Sequence, residues 1–254
     1  MSSSSAVQPK LYLLDVEGTT SPISLVYEQL FPYARKHLES YLRAHVREPE
    51  IDAGMEADLA LLAEENAREA RVIDTPRFAV PADGESWEAH VPQAAEYLLW
   101  LMDQDRKSTA LKALQGRIWK AGFEAGELVG TLFEDVPAAI VRWSRAAKVA
   151  IYSSGSVEAQ QLLFRHSSAG DLTLFLSAYF DTRVGAKTMP ESYRAIAAAM
   201  GVELGEVLFI SDVTRELDPA REAGCMTRLS MREGNAPILD YCKHEVIGSF
   251  AEMA

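Results

Sequence analysis

Three short runs constrain this chain more than any other feature. Leu11-Tyr12-Leu13-Leu14, Lys148-Val149-Ala150-Ile151-Tyr152 and Val207-Leu208-Phe209-Ile210 are almost unbroken apolar stretches. Each runs directly into polar residues: Asp15 and Glu17, Ser153 and Ser154, Ser211 and Asp212. A strand that is apolar at successive positions is buried on both faces, the condition of a parallel sheet covered by helices on each side. Helical patterns over Pro137–Ala146, Val157–His166, Glu191–Met200 and Glu216–Ala223 supply those covers. Two weaker runs extend the set: Leu174-Phe175-Leu176 with Ala178-Tyr179-Phe180, ending at Asp181, and Thr227-Arg228-Leu229-Ser230.

The expected fold is α/β, a Rossmann-like parallel sheet with helices on both faces. Between the first run and the second, residues from Tyr27 to about Phe133 are rich in Ala, Glu, Leu and Arg and carry helical patterns such as Glu56–Arg71 and Gln93–Met102. This is too long for a crossover connection, so it reads as an inserted helical cap domain. The expected division is a catalytic core of residues 1–20 and 134–254 and a cap of residues 21–133. Pro76, Pro81, Asp83-Gly84 and Pro92 mark an irregular loop within the insertion.

Charge narrows the function. The formal net charge is −12, which disfavours nucleic acid and anionic membrane surfaces and requires local cations for any phosphate chemistry. No apolar run reaches the length of a membrane span. The start, MSSSSAVQPK, lacks the basic and apolar regions of a secretory signal, and its serines read as a frayed tail. The two cysteines, Cys225 and Cys242, are expected as free thiols. The cytoplasm is the default compartment, and with no apolar surface stripe the expected state is a monomer. The histidines (His37, His45, His90, His166 and His244) show no metal-ligand spacing.

In open α/β sheets the ligand site lies at the carboxyl ends of the strands, and that is where the chemistry-bearing residues stand. Asp15 is placed to attack phosphorus and Glu17 to move a proton to or from the leaving oxygen and water. The alternative is that both merely satisfy a turn. Ser153 and Ser154 form an anion seat with the start of the following helix, or simply cap it. Lys187 is a phosphate-binding cation or a solvated lysine, and spacing does not separate it from Arg183. Asp15, Asp212 and a backbone carbonyl suit Mg²⁺. Glu216 either orders a metal water or pairs with Lys187, or else forms an ion pair with Arg215 or Arg221. The order of acid pair, serine, lysine and acid along one sheet is more specific than any single element. A divalent cation and a lysine would offset the two early acids.

These stretches resemble the four motifs of the haloacid dehalogenase-like superfamily. The acid pair Asp15-Val16-Glu17-Gly18-Thr19-Thr20, with glutamate where the usual motif has aspartate, resembles one branch: the enolase-phosphatases (acireductone synthases) of methionine salvage. Asp105-Arg-Lys-Ser-Thr-Ala-Leu-Lys-Ala-Leu-Gln-Gly-Arg-Ile-Trp119, Ser153-Ser-Gly-Ser-Val-Glu-Ala-Gln160 and Ser211-Asp-Val-Thr-Arg-Glu216 also resemble it. The likeness runs from Leu11 to about Asn235. It implies a Mg²⁺-dependent enzyme that enolises 2,3-diketo-5-methylthiopentyl-1-phosphate and then removes the phosphate to give 1,2-dihydroxy-3-keto-5-methylthiopentene. By position it implies Asp15, Glu17 and Asp212 around the metal, Glu17 by side chain or by backbone carbonyl, with Ser153, Ser154 and Lys187 on the substrate.

Within the insertion, Leu111, Leu114 and Ile118 recur at helical spacing and predict a buried stripe. Arg106, Lys107, Lys112 and Arg117 are basic in an acidic chain and read either as a solvated face or as a cap edge that closes over an anionic substrate. Trp119 and Phe123 read either as contacts for a methylthio group or as core packing, and core packing is the expectation. Two other functions stay open on this fold: a general Mg²⁺-dependent phosphatase for small molecules, and a non-catalytic binding protein. Glu17 and the 105–119 segment speak against the first, and the presence of Asp15, Lys187 and Asp212 together speaks against the second.

Overall fold

A computed structural model describes residues 8–46, 53–237 and 243–253. The N-terminal serines and Cys242 lie outside the described residues. The chain forms two compact units, one of residues 1–27 and 128–254 and one of residues 28–127.

In the first unit six strands among the described residues form one parallel sheet: β1 (Leu11–Leu14), β2 (Lys148–Tyr152), β3 (Ala178–Phe180), β4 (Val207–Ser211), β5 (Met226–Ser230) and β6 (Glu245–Ile247). Their spatial order is β3-β2-β1-β4-β5-β6, every neighbouring pair parallel. β1 is central, which explains its apolar run: Leu11, Leu13 and Leu14 are fully buried. Side chains alternate between faces along a strand. Leu11, Leu13, Ala150, Tyr152, Val207 and Phe209 share one core cluster with residues of two later helices, Pro190–Met200 and Thr214–Ala223. Tyr12 points the other way and stacks on Trp143 at 4.2 Å between ring centroids, on the helix Asp135–Trp143.

The second unit has four helices among its described residues: α1 (Phe31–His45), α2 (Ala53–Glu69), α3 (Trp87–Asp103) and α4 (Thr109–Glu124). α1 packs on α3 and α4, and α2 packs on α4. They enclose their own hydrophobic core, which includes Leu38, Leu62, Leu98, Leu111, Leu114 and Ile118, so the predicted stripe on α4 is buried. Serine hydroxyls cap α3 (Ser86 accepting from Glu88 N–H) and α4 (Ser108 accepting from Leu111 N–H). Asn66 on α2 ties down the following loop: its amide donates to Pro76 C=O at 2.7 Å and accepts from Phe78 N–H at 3.0 Å.

The remaining helices belong to the first unit: α5 (Asp135–Trp143), α6 (Val157–Arg165), α7 (Pro190–Met200) and α8 (Thr214–Ala223). All four periodic segments are helical, with bounds shifted by a few residues. Three expectations need correction, and one strand carries no sequence pattern. Thr173–Phe175 forms a 3₁₀ turn and only Ala178–Phe180 is strand. Asp171 accepts from Thr173 N–H at 2.9 Å, a local bond that starts a turn, and Leu174 is 83% exposed. Pro92 lies inside α3, not in the loop. β6 carried no pattern that the sequence reading recognised. The units divide at residues 27/28 and 127/128, not at 20/21 and 133/134, because Ser21 donates to Thr131 C=O at 2.7 Å and Phe133 N–H donates to Thr20 C=O at 3.1 Å.

One buried ion pair fastens the end of the chain to α5. Arg232 grips Asp135 with both terminal nitrogens, at 3.1 and 2.9 Å, and donates to Gly248 C=O at 2.8 Å. Its guanidinium lies 4.7 Å from the Phe133 ring centroid and 4.8 Å from that of Phe250. Asp135 also receives Phe250 N–H and the Ser249 hydroxyl. Partial burial works against the Asp135 charge, but Arg232 and these donors outweigh it and hold the carboxyl below its ordinary range. Asp135→Ala strands a guanidinium that is 5% exposed. It is expected to cost about 3 kcal/mol, a Tm lower by roughly 6–12 °C, and Asp135→Ala/Arg232→Met to recover part of that. Because the native pKa is lowered, the stabilisation is present above the ordinary carboxylate pKa and is lost as pH falls through the native value. Calorimetry at neutral pH and near pH 3 is expected to show the gap between wild type and Asp135→Ala narrowing in acid.

Candidate active site

The parallel register brings the predicted residues to one edge. Leu14 is level with Ile151 on β2 and Ile210 on β4. Asp15, Tyr152 and Ser211 therefore follow at one height, and Ser153 and Asp212 one step further. The chain then turns sharply: Ser21 N–H and Thr20 N–H both donate to Val16 C=O at 2.9 Å. Gly18 sits at φ +70°, a conformation that L side chains rarely adopt.

Asp15 is 5% exposed. Its Oδ1 accepts Val16 N–H at 2.7 Å and the Lys187 ammonium, and its Oδ2 accepts the Ser211 hydroxyl at 3.1 Å. Lys187 is buried and also donates to Glu216 Oε2 at 3.0 Å. This settles two open alternatives. Glu216 pairs with Lys187, while Arg221 reaches Asp218 at 3.7 Å. Arg183 pairs with its neighbour Asp181. Burial opposes the Lys187 charge, yet Asp15 and Glu216 more than offset it and raise its pKa. Glu216 is itself raised, first by burial, with Lys187 pulling the other way.

Sequence reasoning missed the scaffold under this lysine. The Tyr193 hydroxyl lies 2.7 Å from Lys187 C=O and 2.8 Å from Glu216 C=O, tying the lysine loop to α8. Tyr152 donates to Gly185 C=O at 2.8 Å, and its ring centroid lies 5.8 Å from Lys187 Nζ. Ser211 Oγ stands 3.1 Å from Glu216 Oε2 as well as bonding Asp15. Both tyrosines lie in runs that read as ordinary apolar core, so their periodicity carried no signal. Ser211 adjoined a residue already singled out.

The serine loop is built by division of labour. Ser156 caps α6, accepting from Ala159 N–H at 3.2 Å. Ser153 is buried and accepts Gly155 N–H at 3.1 Å, which leaves its hydroxyl hydrogen available to an anion. Ser154 is exposed. Gln160 fixes the loop by donating to Gly155 C=O and Phe180 C=O at 2.8 and 2.9 Å.

Negative charge exceeds positive at this edge. Among the described residues, Asp15, Glu17, Asp212 and Glu216 are set against the ammonium of Lys187. Asp212 is pushed up to about 7, first by loss of hydration and then by Asp15. Glu17, although exposed, is raised in the same way by lost hydration and by Asp15. The Asp212 carboxylate packs on the bare backbone of Gly18: a Cβ there would stand 2.3 Å from its Oδ2 and 3.1 Å from Asn235 Oδ1. Asn235 Oδ1 is buried with no hydrogen-bond partner among the described residues. No three His, Cys, Asp or Glu side chains among the described residues form a ready-made cage. Hard oxygen donors, surplus negative charge and an orphaned acceptor nevertheless suit Mg²⁺, which takes one or two carboxylates and keeps several waters.

In the second unit the basic residues do not act as one free cluster. Arg106 is paired with Glu69, and Arg117 Nε donates to Asp58 at 2.7 Å. Lys107 and Lys112 are exposed. Arg106 and Lys107 border an open groove of about 780 Å³ with Glu69, Tyr97 and Leu101. Trp119 donates to Leu30 C=O at 2.7 Å and Phe123 is 3% exposed, both in packing roles. No helix among the described residues is long and apolar enough to cross a membrane.

The chain matches the haloacid dehalogenase-like hydrolases over residues 9–224. It is 50% identical over 227 residues to the enolase-phosphatase E1 of Synechococcus elongatus, covering 89% of this chain and 90% of that one. It is 43% identical over 250 residues to the protein of the same name from Branchiostoma floridae, covering 95% and 82%. The crystal structure of the UTR4 protein of Saccharomyces cerevisiae superposes with a TM-score of 0.75 at 32% identity, over 97% of this chain and 100% of that one. With its parallel sheet and its strand-end cluster of Asp15, Lys187, Asp212 and Glu216, the chain belongs to the haloacid dehalogenase-like hydrolases and, within them, to the enolase-phosphatase E1 family.

Proposed function

We propose that this enzyme enolises 2,3-diketo-5-methylthiopentyl-1-phosphate and hydrolyses its phosphate, releasing the acireductone of methionine salvage. The observation that carries the reading is Asp15: a buried carboxylate at the end of the central strand, oriented by Lys187, Ser211 and Val16 N–H, in a relative of enolase-phosphatases at 50% identity. Haloacid dehalogenase-like phosphatases generally use Mg²⁺. Here Asp15, Asp212 and Glu17 would hold it, Glu17 by side chain or backbone carbonyl. When bound, it supplies positive charge against the phosphate and the developing enolate.

Glu17 takes the proton from the carbon that bears the phosphate. Lost hydration and the neighbouring Asp15 raise its pKa, which makes it a stronger base for this step. Asp15 then donates an oxygen lone pair to phosphorus, the bond from phosphorus to the substrate oxygen breaks, and Glu17 protonates the leaving oxygen. Water then attacks the phosphorus of the aspartyl-phosphate and gives a proton to Glu17, and the bond from phosphorus to Asp15 breaks to release phosphate and the free carboxylate. Glu17 passes that proton to the enolate oxygen, which leaves the product with both hydroxyls. Lys187 and Ser153 hold phosphate oxygens, with Ser154 at the rim. In this reading the helical unit has the role of a cap, and its exposed Lys107 and Lys112 are candidate anion-binding residues. The same reading gives a cytoplasmic monomer acting on a small molecule, without nucleic acid or membrane.

Turnover of the diketo phosphate tests this, with the enol followed by absorbance and phosphate by release. Phosphate release is expected to require Mg²⁺ and to fall by roughly 10³-fold or more in Asp15→Asn. Release that is indifferent to both would overturn the assignment. Glu17→Gln is expected to abolish exchange of the proton on the phosphate-bearing carbon with deuterated solvent, measured by NMR. Exchange at the wild-type rate would put the base elsewhere.

A further inference from the structure

Asn235 lies beyond the matched family segment, in the turn that follows β5, and the mechanism above gives it no task. Its surroundings are built rather than incidental. Its Nδ2 donates to Gly18 C=O at 2.9 Å and to Ser230 C=O at 3.3 Å, and the Ser230 hydroxyl also reaches Gly18 C=O at 3.4 Å. Arg232, locked to Asp135 and Gly248, anchors the turn, and Asn235 N–H donates to Arg232 C=O at 3.2 Å. With Nδ2 committed to carbonyl acceptors, the orientation of the amide is fixed, and Oδ1 must face the other way.

That oxygen and the Asp212 carboxylate both lie against the open space over Gly18. Both crowd the position that a side chain at residue 18 would fill. A carboxylate and an amide oxygen are both acceptors, and Oδ1 has no donor among the described residues. Burying an acceptor unpaired is costly, and such groups in native proteins mark an ordered water or ion. A hydrated cation answers both needs, because the waters it retains are donors.

We propose that Asn235 is a positioning residue of the cation seat: its Nδ2 clamps the Asp15–Gly18 turn, and its Oδ1 accepts a hydrogen bond from a water of the ion held at Asp212. Gly18 is bare so that both oxygens can converge. The inference rests on the Mg²⁺ assignment above, and the test separates the two.

Isothermal calorimetry with Mg²⁺ alone, on the intact protein, reads binding without turnover. Asn235→Ala removes clamp and acceptor together and is expected to weaken Mg²⁺ about tenfold, in line with other residues that orient metal ligands from outside the coordination sphere. Asn235→Asp removes the clamping donor but keeps an acceptor facing Asp212, and is expected to bind Mg²⁺ within about threefold of wild type. If Asn235→Asp is as weak as Asn235→Ala, only the clamp matters and the acceptor role is wrong. Wild-type affinity in Asn235→Ala overturns the proposal altogether. Absence of binding to wild type overturns the Mg²⁺ assignment itself. Far-UV circular dichroism on each variant separates lost affinity from lost fold. Should Asn235→Ala fail to fold, Asn235→Asp still decides, since affinity at least tenfold below wild type overturns the acceptor role.

Discussion

The Lys187 ammonium, buried between Asp15 and Glu216, is the interaction around which the core unit is arranged. A lone buried charge costs several kcal/mol, and removing one partner of a buried pair costs about 3–5 kcal/mol. The lysine is tolerated because two carboxylates from separate elements meet it, Asp15 at the end of β1 and Glu216 in the first turn of α8. That meeting fixes the loop before α7 relative to the central strand. Two buried tyrosines support the arrangement from below, Tyr193 through the carbonyls of Lys187 and Glu216 and Tyr152 through Gly185. The edge is left with more negative charge than one ammonium neutralises, and lost hydration, with the Asp15 charge second, raises the pKa of Asp212 there.

The sheet makes this cluster possible. A parallel sheet sends every strand end to the same edge, so residues 15, 153 and 212, far apart in sequence, stand within one or two residues of the same height. The edge is stiffened from both sides. On one, Ser156 and Gln160 shape the turn into α6. On the other, Arg232 and Asp135 pin the segment after β5, which in turn holds Gly18 through Asn235. A structural ion pair and the Asp15–Gly18 turn are thus parts of one scaffold. The helical unit needs none of this for its own packing, since its four helices enclose a separate core.

The apolar runs, the helical spacings and the polar residues at strand ends were legible because burial on both faces of a sheet imposes a composition that solvent-facing strands lack. Asp15, Ser153 and Asp212 were legible for the same reason: each stands at or just past the end of an apolar run, where a strand must end, whereas no pattern separated Lys187 from Arg183 or gave Glu216 its partner. β6 and the turn at Thr173–Phe175 were not legible. An edge strand of three residues, Glu245–Ile247, has two exposed positions and no alternation to detect, and a single aspartate bond at Asp171 was enough to divert an apolar run into a turn. The cluster of basic residues at 106–117 looked continuous along the sequence, but Arg106, in the loop before α4, meets Glu69, and Arg117, on α4, meets Asp58.

By itself the sequence determined the class of fold, the insertion of a helical segment after the first strand, and the set of oxygen and ammonium groups available for phosphate chemistry, because each is a property of local pattern and residue type. Only the tertiary structure decided which partners those groups take: Glu216 with Lys187 rather than a nearby arginine, Ser211 between two acids, Asn235 against Gly18. Pair choice depends on strand register and on what lies across a turn. Those are distances of a few ångströms between residues separated by tens or hundreds of positions, and no local pattern encodes them.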